Sequence, residues 1–400
     1  MINLECPGPD SVRLWGIRAQ GLFDGHAFVS GAPLVLVRQG RIVDVDLSGA
    51  RPSPELPVVD LGTVTLLPGL VDAHTHLAFD PSGSVVEQLR NDSDEVVVDR
   101  IRRHARQALQ AGVTTVRDLG DRGYLSLMVR SECASRMAAG PEILASGPPI
   151  TSHGGHCWFL GGEAAGVAGV RAAVAERLSR GVDVVKVMAT GGGITPGSDP
   201  HLSQYTVDEL RAVVTAAHEA GTWVTAHAHG GAGIAAAVAA GVDGIEHGTF
   251  LTPAGAEPEW ATVAAMAASG VYVGVTAARM PEGEPPSPRV LAARECLPRM
   301  HREGVRLVCS SDAGVVGSKP HDCLPHGVAE FAGFAELSCA EALAAVTSVA
   351  ARSCGVGDRK GRIAAGYDAD LLAVSGDVSQ DLTALSDAHA VFRGGQRVPR

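Results

Sequence analysis

The sequence is short of several features that would direct a search for function. Its eight cysteines are scattered and never form a Cys-x-x-Cys pair. A disulfide framework is therefore not expected, and buried free thiols are. Met1 to Asp10 carries acidic residues and prolines but no apolar segment, so a secretory signal is not expected. No uninterrupted apolar run reaches the length of a membrane span. Repeats, low-complexity tracts and charge runs are also missing. The net charge of −11 offers no basic excess to attract nucleic acid. These absences lead to an expectation of a soluble cytoplasmic protein that handles a small molecule and has neither nucleic acid nor membrane as partner.

What is present is a hydrophobic fraction of 46% against 19% charged residues, over a chain of 400. That suits a large α/β barrel with a modest appendage. The stretch from Leu66 to Leu77 stands out, an apolar run punctuated by Pro68 and Gly69 that leads into His74 and His76. Residues two apart on a strand share a face, so both imidazoles would aim at one point. Imidazole is the commonest side-chain ligand for a divalent metal. His-x-His alone is a weak signal, and its weight depends on whether the chain supplies further ligands.

Residues 12–65 alternate short apolar runs with turn residues, as in Leu34 to Val37, Gln39-Gly40, then Arg41 to Val45, and read as hairpin strands. The tail is similar, with Gly366 to Val374 and Ala390 to Phe392. Both ends are expected to join in one β-sandwich of residues 1–65 and 359–400, two separate β caps being the rival arrangement. Between them, at 66–358, candidate strands end near Asp72, Asp118, Ser146, Val187, His227, Glu246, Val275 and Ser311. Helical patterns alternate with these strands. From Tyr205 to Gly221, Val207, Leu210, Val213, Val214 and Ala217 form one face, with Thr206 and Glu209 at capping-box spacing. Ser338 and Glu341 repeat the box. Eight strand–helix units predict a (β/α)8 barrel, whose chemistry sits at the C-terminal ends of its strands.

Those ends carry the signal. Strand 1 supplies His74 and His76. Strand 4 places Lys186 inside the apolar run Val182 to Met188, where an unpaired ammonium is costly. An ion pair with a nearby carboxylate would account for it. The alternative is a desolvated, neutral Lys186 that reacts with carbon dioxide to give a carbamate able to bridge two metals. Strand 5 ends in His227 with His229 two beyond, strand 6 in Glu246-His247, and strand 8 in Asp312. Five strand ends with ligand-capable side chains form a coherent set.

On these residues the chain resembles the amidohydrolase superfamily, over essentially its whole length. It is more closely similar to the imidazolonepropionase-like and prolidase-like branch through Gly112 to Gly120, Lys186 to Gly192 and Gly241 to Gly248. That branch includes dipeptidases, carboxypeptidases of Xaa-Pro or Xaa-Arg type and ochratoxin-type amidases. The resemblance implies a first metal on His74 and His76, a second on His227 and His247, and carbamylated Lys186 between them. It implies Asp312 as both ligand and proton shuttle for a metal-bridging hydroxide, which would cleave an amide bond in a dipeptide or N-acyl amino acid. Nitrogen and oxygen ligation suits zinc, with manganese, cobalt or iron as substitutes. Homo-oligomers are frequent among the relatives.

The contacts to substrate are more open. Spacing does not choose between His227 and His229, and where some prolidase-like relatives carry tyrosine this chain has His229. His153 and His156 lie in a Gly-rich loop after strand 3. Arg117 could bind a substrate carboxylate or pair with an acid, and His326 is a weaker candidate. Glu246 should point away from the interior if His247 points in. A single-metal deaminase of the same superfamily is a competing expectation. It is disfavoured by the presence of Lys186 and by Ala-His-Gly after His227. A scaffold without metal would lack ligands, and none is missing.

Overall fold

The computed structural model describes residues 13–282 and 285–399. The stretch read for a secretory signal, the first 12 residues of the expected terminal unit and Cys6 lie outside the described residues. The middle of the chain is mixed α/β. We number its parallel strands β1 (Leu70–Thr75), β2 (Val113–Asp118), β3 (Glu142–Ala145), β4 (Val184–Met188), β5 (Trp223–Ala228), β6 (Gly244–His247), β7 (Tyr272–Val275) and β8 (Arg306–Cys309). Strands β1 to β3 pair in sequence order, as do β4 to β8. Isolated parallel bridges at Ile150–Val187 and Thr75–Ala313 link the ends of these two sheets. Each strand ends within three residues of its expected position.

These strands are buried nearly throughout, as parallel strands covered on both faces are. One helix or a helix pair follows each of β1 to β7. The helix Val207–His218 carries the full capping box of Thr206 and Glu209, and Ser338 with Glu341 caps Cys339–Ala345 in the same way. The helix Gly231–Ala240 ends at Gly241 with φ +86°, the left-handed turn that glycine adopts without a Cβ clash. Among the described residues no helix is long and apolar enough to cross a membrane. The seven described cysteines are all free thiols, buried or half-buried.

The two chain ends share sheets. Leu371–Ser375 pairs antiparallel with Val64–Pro68, which also pairs with Gly21–Phe23. Trp15–Arg18, Leu34–Arg38, Arg41–Asp46 and Val58–Asp60 form a second, four-stranded sheet. Both sheets contribute to one apolar cluster, with Trp15, Ile17, Val35 and Val37 from the smaller and Leu66, Leu371 and Phe392 from the larger. The apolar run that reads as continuous from Leu66 to Leu77 is therefore divided. Residues through Pro68 belong to the terminal sheet, and β1 starts at Leu70. Gly69 makes the change possible, because a Cβ there would collide with the Thr114 side chain. A boundary at residue 65 falls inside the strand Val64–Pro68, since hydrogen-bond partners rather than hydropathy decide which sheet a strand joins.

An ionic cluster ties the C-terminal segment to the N-terminal end of β3. The Nζ of Lys360, with its side chain 5% exposed, lies 2.5 Å from Asp370, 3.0 Å from Glu142 and 3.0 Å from Asp368. Arg359 bonds Glu142 and Asp368 as well. Burial disfavours the charged form of Glu142. The hydrogen bonds and charges of Arg359 and Lys360 outweigh it and hold the carboxyl down at about 2. Because the folded-state value lies below the unfolded 4.5, this stabilisation is present above that pH and is lost as pH falls toward about 2. Urea unfolding of the wild type and of Glu142→Gln should therefore differ most near neutrality, and the gap should narrow below pH 4.5. Lys360→Met should lower stability at pH 7 by about 3 kcal/mol or more.

Candidate metal centre

All the residues expected as ligands line one cavity beyond the C-terminal ends of the parallel strands. His74, His76, Lys186, His227, His247 and Asp312 face it, together with His156, His229, Cys157, Met188, Ile194 and Val315. Its volume is about 80 Å³, enough for ions and several waters.

His74 and His76 leave β1 on the same side, and Asp312 meets them from beyond β8. The Nε2 atoms of His74 and His76 are 3.3 Å apart, and each is 3.3 Å from Oδ1 of Asp312. Bonds of about 2.0–2.1 Å to a tetrahedral zinc place neighbouring ligand atoms about 3.3–3.4 Å apart. The triangle thus has the dimensions of one face of such a site. A second set, His227, His229 and His247, has its ligand atoms within 4.8 Å of one another, as does the set His74, His247 and Asp312.

Each of these imidazoles has one ring nitrogen close to a neighbouring side chain or carbonyl. His74 Nδ1 lies 2.9 Å from Glu246 Oε2, and His76 Nδ1 lies 3.4 Å from the Gly120 carbonyl. His227 Nε2 meets the Gly191 carbonyl at 2.9 Å. The Nδ1 atoms of His229 and His247 contact the hydroxyls of Thr249 (2.8 Å) and Thr276 (3.0 Å). An outer partner of this kind fixes the ring orientation of a metal-binding histidine. Burial above all lowers these rings below the usual histidine value, to about 4 for His74 and His229 and well below it for His227 and His247. Neutral imidazole is the form that binds a metal.

Lys186 sits within β4, 1% exposed, and its Nζ has no hydrogen-bond partner among the described residues. The simple ion pair that would have explained it is not formed. Desolvation pushes the amine down to about 8, although Glu246 and Asp312 pull the other way. A buried, partly neutral amine with no partner suits an additional group at this point. Asp312 is opposite in character. Burial works against its charge, but His74, the hydrogen bond from His76 and the Lys319 ammonium prevail, and the carboxyl lies far below the usual range. The Nζ of Lys319 donates to the carbonyls of Thr276 and Ser311, at 2.7 and 2.8 Å, beside Asp312.

Two of these residues adopt left-handed backbone conformations, His247 at φ +74° and Asp312 at φ +55°. Such angles are strained for side-chain-bearing residues and collect at functional sites. At His247 the departure has a direct effect. Strand alternation would send Glu246 and His247 to opposite faces, and the turn at His247 lets both reach the interior. Glu246 therefore points inward, against the expectation from the sequence. Its Oε1 accepts from Thr225 Oγ1 (2.6 Å) and Arg117 (2.9 Å).

That arrangement removes Arg117 from the substrate candidates. Its guanidinium is engaged by the Ala73 and Ser353 carbonyls and by Glu246. His153 is exposed beside Glu163, and His326 lies on the helix Leu324–Ala335; neither lines the cavity. His156 does. Its Nδ1 is 3.0 Å from Thr195 Oγ1, and its backbone N–H donates to Gln204 Oε1 at 2.5 Å. Gln204 also donates to Thr151 and to the Met188 carbonyl, so it fastens the loop after β3 to the end of β4. Sequence reasoning missed Thr195 and the inward Glu246, since neither a lone loop threonine nor a residue's φ is marked by spacing.

The chain is similar to several known proteins. The Amidohydrolase family profile matches residues 65–398. Ochratoxinase of Aspergillus niger is 31% identical over 217 residues, 46% of this chain and 43% of that protein. An uncharacterized Mycobacterium tuberculosis protein is 30% identical over 62% of this chain and 58% of its own length. The matches thus span only about half the length of these relatives. Solved structures align over nearly the whole chain. A Xaa-Pro dipeptidase with bound methionine gives TM-score 0.84 at 27% identity, covering 97% of this chain and 100% of that one. A prolidase complexed with N-methylphosphonate-L-proline gives 0.81 at 28%, with the same coverage. With the family profile matched over most of its length, the chain belongs to the amidohydrolase family.

Proposed function

We propose that the protein is a binuclear metal hydrolase that cleaves the amide C–N bond of a small molecule, of the dipeptide or N-acyl amino acid class. The observation that carries this reading is the convergence of His74, His76, Lys186, His227, His247 and Asp312 on one cavity. The relatives named for dipeptidase, prolidase and ochratoxinase activity support the bond type. We take the eight parallel strands to close as a (β/α)8 barrel over residues 66–358, which the two linking bridges favour. The composite terminal β unit, from 1–65 and 359–400, is favoured by the antiparallel pairing of Leu371–Ser375 with Val64–Pro68. Seven unpaired cysteines fit a reducing, cytoplasmic setting.

In this reading His74 and His76 hold a first ion with Asp312, and His227 and His247 hold a second. A pair of divalent ions, zinc by donor type, supplies Lewis acidity that makes water nucleophilic near neutral pH and polarises a carbonyl. Lys186 contributes through its neutral fraction. Its amine nitrogen would bond to the carbon of carbon dioxide and release a proton, and the resulting anionic carbamate would supply carboxylate-type oxygens as further ligands. Asp312, held ionised, accepts the proton of the attacking water at a carboxylate oxygen and delivers it to the leaving amine nitrogen. His156, steadied by Thr195 and Gln204, faces the cavity as a substrate contact. His229 adds a donor beside His227.

Elemental analysis of protein grown with zinc and bicarbonate should find two metal ions per chain. A single ion would move the reading to a deaminase, tested by ammonia release. Lys186→Ala should lose metal and turnover together, with partial rescue by a short carboxylic acid, and full activity in that variant would remove the carbamate. Asp312→Asn should lower turnover of a dipeptide or N-acyl amino acid by roughly 10²–10⁴ while circular dichroism stays unchanged. A near-normal rate would remove Asp312 as the proton carrier.

A further inference from the structure

Strands β1 and β8 lie in separate sheets, and their ligand-bearing ends meet at the seam between them. Backbone contacts cross this seam from His74 to His76. The N–H of Asp312 donates to the His74 carbonyl at 2.7 Å, Thr75 bridges Ala313, and the N–H of His76 donates to the Ala313 carbonyl at 3.2 Å. At Gly314 the chain turns away, its N–H donating to the Lys319 carbonyl at 2.9 Å. A Cβ at this residue, which has φ +97°, would lie 2.9 Å from the Phe79 carbonyl oxygen and 3.0 Å from that of His76.

Beyond Gly314 side chains continue the seam. His321, in the loop after β8, places Nε2 3.1 Å from the His76 carbonyl. His104, on the helix Asp94–Gln110, places Nδ1 2.9 Å from the next carbonyl, that of Leu77. A carbonyl oxygen only accepts, so both nitrogens donate. The two buried rings stack on each other, with centroids 3.9 Å apart and planes 12° from parallel. Two consecutive carbonyls of the β1 segment are thus gripped by imidazoles from different elements that also brace each other.

The His76 carbonyl does not need His321 for a partner, since it already accepts the Phe79 N–H at 3.0 Å. Burying two further polar rings is costly unless their bonds are used. What these bonds add is register across the seam. The His76 ring stacks on Phe79 with centroids 4.4 Å apart, which couples its orientation to the backbone of residues 76–79. Its Nε2 lies 3.3 Å from Asp312 Oδ1 on the other side of the same seam. A slip of the His76–Leu77 backbone against the loop after β8 would open this spacing.

We infer that His321 and His104 are positioning residues of the metal centre, which clamp the His76–Leu77 backbone against the loop after β8 and so hold His76 and Asp312 at ligand spacing. The inference rests on the reading of His76 and Asp312 as ligands of the first ion. Neither His321 nor His104 lines the cavity, so each acts through the backbone it binds.

The test uses the full chain and zinc, read by competition with a chromophoric chelator. His321→Leu removes the donor and keeps apolar bulk, whereas His321→Gln carries an amide N–H at the reach of Nε2. Zinc should be held about 10–100-fold more weakly in His321→Leu and at near wild-type strength in His321→Gln. A residue that only fills space would give the opposite order, because leucine is buried at lower cost than an amide. Wild-type affinity in His321→Leu would overturn the inference, as would equal losses in the leucine and glutamine variants. His104→Leu and His104→Asn, whose amide nitrogen matches the Nδ1 position, should repeat the pattern. Should His321→Leu fail to fold, unchanged zinc affinity in His104→Leu would overturn the inference. His76→Ala separates the two levels. Undiminished affinity there would overturn the reading of His76 as a ligand, and loss there without loss in His321→Leu would overturn the clamp alone.

Discussion

An ammonium without a hydrogen-bond partner, enclosed with a group of imidazoles and two carboxylates, is the constraint on which the rest of this structure turns. Burying such groups is unfavourable unless each is paired or neutralised. The chain meets the demand unevenly. Its cavity histidines are driven neutral by desolvation and each keeps one fixed partner. Asp312 and Glu246 remain charged because cations and donors converge on them. The Nζ of Lys186 has no hydrogen-bond partner among the described residues. Strongly perturbed ionisable groups collected in one cavity are a mark of functional sites. On the proposed reading, metal cations and a carbamate remove that imbalance together.

Holding this arrangement requires backbone that regular strands do not supply. A strand alternates its side chains, so neighbouring residues cannot both face inward. The left-handed residue at His247 breaks that rule and brings Glu246 and His247 into the same interior. Asp312 is held in a similar conformation by the hydrogen bond from its N–H to the His74 carbonyl at 2.7 Å, with Ser311 bonded to Asp72 just before it. The strain is sustained by firm anchoring elsewhere. At the opposite end of the strands, Lys360 and Arg359 bind Glu142 and two aspartates of the terminal segment. The chain thus places its satisfied charges where the sheets join and its unsatisfied ones where they open.

Much of this is legible in the sequence. Apolar runs ending in His, Lys or Asp mark the parallel strands, since both the periodicity and the cost of a buried charge leave local traces. Capping boxes at Thr206 and Ser338 mark helix starts for the same reason. What escaped is non-local or conformational. Pro68-Gly69 divides one hydrophobic run between two sheets, because a strand at residues 371–375, some 300 positions away, supplies the partner. Arg117 reads as a cation for either a substrate carboxylate or a nearby acid, and its partner, Glu246, is 129 residues distant. That partner reaches it only through a φ angle at the following residue, and no composition or spacing encodes that angle. Ligands announce themselves by residue type. The groups that orient them are ordinary residues, defined by where the fold puts them.

The cavity, of about 80 Å³, opens at the C-terminal ends of the strands among the loops that follow them. The loop after β3 is pinned to the end of β4 through Gln204 and Thr195, which makes His156 a rigid rather than an adaptable contact. Ile194 and Val315 supply apolar surface on two other loops. A rigid polar contact facing apolar walls discriminates chiefly by penalising partners that leave the imidazole unpaired. On the proposed reading, the ligand set carries the cleavage of the amide, while His156 and its flanking apolar side chains are the surfaces offered to the rest of a substrate.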